Sequence, residues 1–204
     1  CALSCAPAMI MCMTSRSWWR LAVVAAAITI VSAPWGLSQP WLVAVFKPMA
    51  TMAIMAHAWG RGHDMPGARR GVLLGLTLSL VGDIALLWSS GFLIGLVAFL
   101  LAHLTYLSVF AKAAPLFARR APFVAYALVG SAVLMGLWPG VPAGLRLPVL
   151  AYVFCLCLMA AQAAVVWLRA APGRERRRAA GLALGAACFV ASDALLAINR
   201  FAVP

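Results

Sequence analysis

Negative charge is what this sequence has least of. Asp and Glu fill four of 204 positions, and charged residues of both signs amount to only 10% of the chain. A soluble domain carries about 25% charged residues. An apolar content of 66% cannot be wrapped in water by so little polar surface. A water-soluble globular domain is therefore excluded, and a bilayer is the solvent that this composition fits. The six cysteines show no CxxC and no Cys/His metal spacing, so neither a zinc ribbon nor a redox dithiol is encoded. Cys155, Cys157 and Cys188 read as small apolar helix residues. No cofactor motif is present, and the reading calls for no cofactor. A net charge of +12 would suit nucleic acid, but the basic residues sit in short links between apolar runs, with no basic face. No nucleic-acid partner is expected.

What the chain has in abundance is apolar runs. A membrane-spanning helix needs about 17–25 apolar residues. Seven runs meet or approach that length: 18–34, 40–58, 71–88, 91–111, 121–138, 147–168 and 180–198. The expected fold is all-α, a polytopic transmembrane helix bundle. Residues 1–17 read as a cytoplasmic segment, disordered or misassigned at its start, and 18–204 as one transmembrane helical domain. All eight tryptophans fall near run ends, as an interfacial aromatic belt requires. Arg16, Arg20, Arg61, Arg69, Arg70, Lys112, Arg119 and Arg120 lie in one alternating set of links, with Arg169, Arg174 and Arg176–Arg178. That set holds thirteen of the sixteen basic residues. The positive-inside rule then places the N-terminus in the cytoplasm of a bacterial inner membrane.

Two of the four acidic residues interrupt apolar runs: Asp83 in "LVGDIALLW" and Asp193 in "VASDALLAI". Helix rise sets their depth. Lys47 lies ~10 Å, and Asp83 and Asp193 each ~8 Å, from the outer ends of their runs. His103 and Tyr106, one turn apart on the fourth run, share a face and lie deeper. A charge at a helix centre costs about 2.5–3.5 kcal/mol on insertion scales unless it is paired or lines a wet cavity. Lys47 with one aspartate is the obvious pair. As a structural staple that pair needs one carboxylate; the second aspartate, with a histidine and a tyrosine, exceeds what a staple requires. "SLVGDIALL" and "FVASDALLA" stand 110 residues apart, and a four-helix unit duplicated in parallel would produce this and predicts eight spans. "GRGHDMPG", with His63 and Asp64, reads as a solvated turn, and His57 just before it carries no assigned role.

At these residues the chain resembles the YhhN family of membrane proteins, the lysoplasmalogenase group. The likeness rests on "FKP" (46–48), "GDIAL" (82–86), "GFLIGLVAFLLAHLTY" (91–106) and "SDALLAINRF" (192–201). The spacing of Phe92, Gly95, Phe99, His103 and Tyr106 is its most specific part. The resemblance implies eight helices, with the last beginning where this chain stops. It also implies a hydrolase that cleaves the vinyl ether bond of lysoplasmalogens to a fatty aldehyde and a glycerophospho-base. The positions carried over are Lys47, Asp83, His103, Tyr106, Ser192, Asp193 and Arg200.

Hydrolysing a vinyl ether requires a proton delivered to carbon and water added to the resulting oxocarbenium ion, as in glycoside cleavage by two carboxyls. Asp83 and Asp193 are the expected catalytic pair, the one nearer Lys47 serving as the anion and the other as the neutral acid. The sequence does not say which is which. His103 relays protons or orients water, or simply makes a packing hydrogen bond. Tyr106 positions the ether oxygen or belongs to the core. Ser192 flanks Asp193. Arg200 and Arg146, near the outer surface, meet a lipid phosphate or serve as interfacial anchors. A zinc or iron site built on His103 and two aspartates is the weaker option, and no metal is assigned. Two other functions stand beside hydrolysis: an ion- or proton-coupled transporter using Lys47, Asp83 and Asp193, and a lipid-binding protein without chemistry. The expected partner is a membrane lysolipid.

Overall fold

The computed structural model describes residues 15–31, 40–60 and 65–201. Cys1, Cys5, Cys12, His63 and Asp64 lie outside the described residues. Among the described residues every regular element is helical. The α-helices are α1 (Ser15–Val31), α2 (Pro40–Trp59), α3 (Pro66–Ala85), α4 (Phe92–Ala113), α5 (Ala121–Leu137), α6 (Arg146–Arg169) and α7 (Arg174–Phe201). Short 3₁₀ turns at Ser89–Gly91, Trp138–Gly140 and Ala143–Leu145 join some of them.

Local chemistry sets the ends. Pro66 opens α3 at its first turn, where the missing N–H would have no helical partner anyway. Pro115 follows α4 and cannot extend it. Between α6 and α7, Gly173 takes a φ of 102°, a conformation open to glycine and costly for residues with a Cβ.

Five segments are long and apolar enough to cross a bilayer: Trp41–Trp59, Phe92–Ala113, Ala121–Gly140, Ala143–Arg169 and Arg174–Phe201. The other two expected spans also form helices, but fall short of that measure. α1 has 17 residues and an apolar stretch of only Arg20–Thr29. α3 carries Arg69, Arg70 and Asp83 within its 20 residues. The outward side chains are those of a lipid-facing surface: Leu147 is 76% exposed, Met135 72%, Phe154 70% and Leu128 68%. Side chains of this size left bare at this density fit hydrocarbon, not water. The protein is an all-α integral membrane protein.

The chain divides into two compact units, Cys1–Gly95 and Leu96–Pro204. In the first, α2 packs against α1 and α3. Ala22 and Ala25 on α1, and Ala50 and Ala53 on α2, are buried. Small side chains let backbones approach closely, which matters where lipid removes the hydrophobic drive between helices. α3 buries Gly75, Ser79, Gly82 and Asp83. That spacing of four, three and one is a single helical face, and Asp83 lies on it.

In the second unit α6 is the central helix, packed against α5 and α7. Ala160, Ala161, Ala163, Gln162 and Val165 along it are wholly buried. At Gly130 on α5 a Cβ would lie 2.6 Å from the Cys157 sulfur, so glycine is what allows α5 and α6 to close to this distance. Leu137, Val141 and Val149 form a buried cluster near the start of α6, against which Phe201 at the end of α7 packs.

Candidate active-site residues

Each unit holds an aspartate on a helix, Asp83 buried and Asp193 half-buried, and each takes a partner from the helix that precedes its own in the chain. In the first unit that helix is α2. Its Lys47 is followed by Pro48, a proline inside the helix, which removes one backbone hydrogen bond beside the lysine. Lys47 Nζ lies 3.2 Å from Asp83 Oδ1, with the carboxylate side chain 5% exposed and the lysine 27%. Thr51, one turn beyond Lys47, donates its hydroxyl to Asp83 Oδ2 at 2.6 Å. An ammonium and a hydroxyl thus hold the two oxygens of one carboxylate. The lysine expected to meet an aspartate meets Asp83, joining α2 to α3. Its partly exposed stem allows a long side chain to bury its methylenes and keep its charge near polar surroundings.

In the second unit α6 supplies Tyr152, which donates its hydroxyl to Asp193 Oδ2 on α7. Tyr152 is buried, and its ring stands edge-on to the imidazole of His103 on α4, with centroids 5.4 Å apart. His103 is wholly buried, and among the described residues neither ring nitrogen has a hydrogen-bond partner. Phe99 and Phe189 complete the surround, with centroids 6.4 Å and 5.0 Å from the imidazole. A buried polar group normally finds a partner. One left without, beside a tyrosine–carboxyl pair and enclosed by aromatic rings, is a polar position inside apolar walls. The arrangement offers a carboxyl, a phenol and an imidazole to one neighbourhood.

The remaining positions singled out in the sequence fall elsewhere. Tyr106 is half-buried one turn past His103 on α4, while Ser192 and Arg200 lie exposed on α7. Among the described residues no three His, Cys, Asp or Glu side chains converge as metal ligands do. Cys155 is buried, Cys157 half-buried and Cys188 exposed, all three as free thiols.

Two partners escaped the sequence reading. Thr51 has a local signal, a hydroxyl four residues past a buried lysine and therefore on the same helical face. Tyr152 has a fainter one: it lies well inside an apolar run, away from the interfacial levels where membrane tyrosines collect. Its pairing with a residue 41 positions later is a tertiary fact.

The helices, their lipid-facing surfaces and their enclosed ionisable side chains define an integral membrane protein with intramembrane polar centres, the kind of residue that marks functional positions in such proteins. A model described as the YhhN family matches residues 42–204, and the chain belongs to that family. Lysoplasmalogenases of Mycobacterium tuberculosis and Mycobacterium bovis are each 33% identical to it over 160 residues, covering 74% of this chain. The match takes in 58% of those relatives' own length, so the chain spans less than two-thirds of them. Lysoplasmalogenase TMEM86A of Homo sapiens is 32% identical over 174 residues, covering 82% of this chain and 70% of that protein. No solved structure matches the chain.

Proposed function

We propose that this chain is a membrane hydrolase that cleaves the vinyl ether of lysoplasmalogen-type lysolipids, releasing a fatty aldehyde and a glycerophospho-base. The observation that carries the reading is Asp193 held by Tyr152 beside a buried, unbonded imidazole. Family membership and the named relatives support the same chemistry.

The roles follow from the two surroundings. Asp83 is in an ion pair with Lys47 and bonded by Thr51. A carboxylate so held is suited to steadying positive charge or taking a proton from water. Asp193, bonded to a phenol and not to an ammonium, takes the acid role. Its carboxyl delivers a proton to the vinyl carbon, the double bond shifts to oxygen, and water adds to the carbon bonded to that oxygen. The hemiacetal so formed breaks to aldehyde and alcohol. Glycosidases likewise begin with a protonated carboxyl and pass through a related cation. His103 orients the water or passes the proton back. The positive-inside distribution further supports an N-terminus on the cytoplasmic face of a bacterial inner membrane.

Purified protein incubated with an alkenyl lysophospholipid tests the reading. Aldehyde and glycerophospho-base should appear in equal amounts. Flux of lysolipid or ions in proteoliposomes without aldehyde would mark a transporter instead, and retention of lipid with neither would mark a binding protein.

A further inference from the structure

Two arginines in this protein lie over tryptophan rings, and they are used differently. On α3, the Arg69 guanidinium carbon is 5.1 Å from the Trp59 ring centre, and Nε and Nη2 both bond the Trp59 carbonyl, at 3.2 and 2.7 Å. One edge of that fork is consumed in closing the end of α2. At the start of α6, Arg146 lies over Trp138 at 5.2 Å but is tethered only through Nε, 3.4 Å from the Val141 carbonyl. Arg146 is exposed, and among the described residues its two terminal nitrogens meet no acceptor.

From this contrast we propose that Arg146 binds the phosphate of the lysolipid head group, with Trp138 and the Val141 carbonyl holding the guanidinium in place. The proposal rests on the hydrolase reading above and adds the substrate's polar end to it. Planar guanidinium donors suit phosphate oxygens, and stacking on an aromatic ring costs those donors nothing. The placement is also right for a lipid. Tryptophans mark the head-group level of a membrane, and Trp138 stands at the end of α5. Tyr152 lies six residues further along α6 than Arg146, or ~9 Å deeper by helix rise. A phosphate held at Arg146 thus has the glycerol and its ether directed toward the level of Tyr152 and Asp193. An arginine serving only as an anchor has no need of this register.

The test compares an alkenyl lysophospholipid with the alkenylglycerol that lacks the phosphate. Arg146→Ala should lower the ratio of their kcat/KM values about tenfold or more, mainly through KM for the phosphate-bearing substrate. Arg146→Lys should restore part of the ratio, because charge returns without the fork. A ratio unchanged in Arg146→Ala overturns the proposal, whatever happens to total activity or thermal stability. If the wild-type protein releases no aldehyde from either substrate, the hydrolase reading fails, and the same ratio is read in binding. A saturated alkyl lysophospholipid and the matching alkylglycerol then serve as probes in nanodiscs. Loss of affinity in Arg146→Ala confined to the phosphate-bearing probe upholds the site, and equal or absent loss rejects it.

Discussion

At Asp83 the cost of burying a carboxylate is offset by Lys47 and Thr51, both from α2. Removing the cation leaves a buried charge without its counterpart. Lys47→Met should therefore lower stability by roughly 1–3 kcal/mol, reduced from the cost of a fully buried pair because the lysine is partly exposed. Asp83→Asn should cost less in the Lys47→Met background than alone, with a coupling of about 0.5–3 kcal/mol, measured by thermal unfolding in detergent. Strict additivity would mean that the pair is not energetically coupled. At Asp193 the partner is a phenol. Tyr152→Phe keeps the ring that packs on His103 and deletes only the donor, so folding should survive while kcat falls about ten- to hundredfold. Single-turnover aldehyde release checks this, and an unchanged kcat would remove Tyr152 from the site. Much of this was legible in the residues themselves. A lysine and two aspartates in apolar runs announce a pairing, because charge in hydrocarbon is costly. Which aspartate Lys47 would choose was not legible, since helix rise puts both at the same depth and says nothing of which helices are neighbours.

Among the elements, hydropathy located all seven helices and misjudged some of their ends. The seventh apolar run covers 180–198, but α7 extends over Arg174–Phe201. Arginine and glutamate are good helix formers, so the helix continues where the apolar signal stops. In α3 the start is set by Pro66 and not by the first apolar residue. Helix contacts were the least legible, because they turn on single small residues. Gly130 and Gly136 lie on the same helix and read alike in sequence. A Cβ at Gly130 would strike the Cys157 sulfur, whereas one at Gly136 would meet nothing within 4 Å. Gly130→Leu should then cost about 1–3 kcal/mol by overpacking. Gly136→Ala should be neutral or gain up to about 1 kcal/mol from helix propensity. Similar responses at the two positions would refute the close α5–α6 approach.

For the whole molecule, composition alone decided the solvent. With four acidic residues and 66% apolar content, only a bilayer accommodates the chain, and the bare leucines, methionines and phenylalanines of the helices agree. Orientation is a separate claim, resting on where the arginines gather. In a background free of native cysteines, a cysteine placed at Arg176 should resist a membrane-impermeant maleimide in intact cells, while one at Gly144 should react. The reverse pattern would invert the topology. The central claim is that the Asp193 carboxyl, held within the helices of this membrane protein, performs acid chemistry on a lipid ether. It is tested most directly by aldehyde release from an alkenyl lysophospholipid by purified wild-type protein and by Asp193→Asn, each shown folded by its unfolding temperature. The account predicts steady release by the wild type and a loss of about 10²–10⁴-fold in the variant, the contribution expected of a general acid. A folded Asp193→Asn protein with wild-type turnover would contradict it.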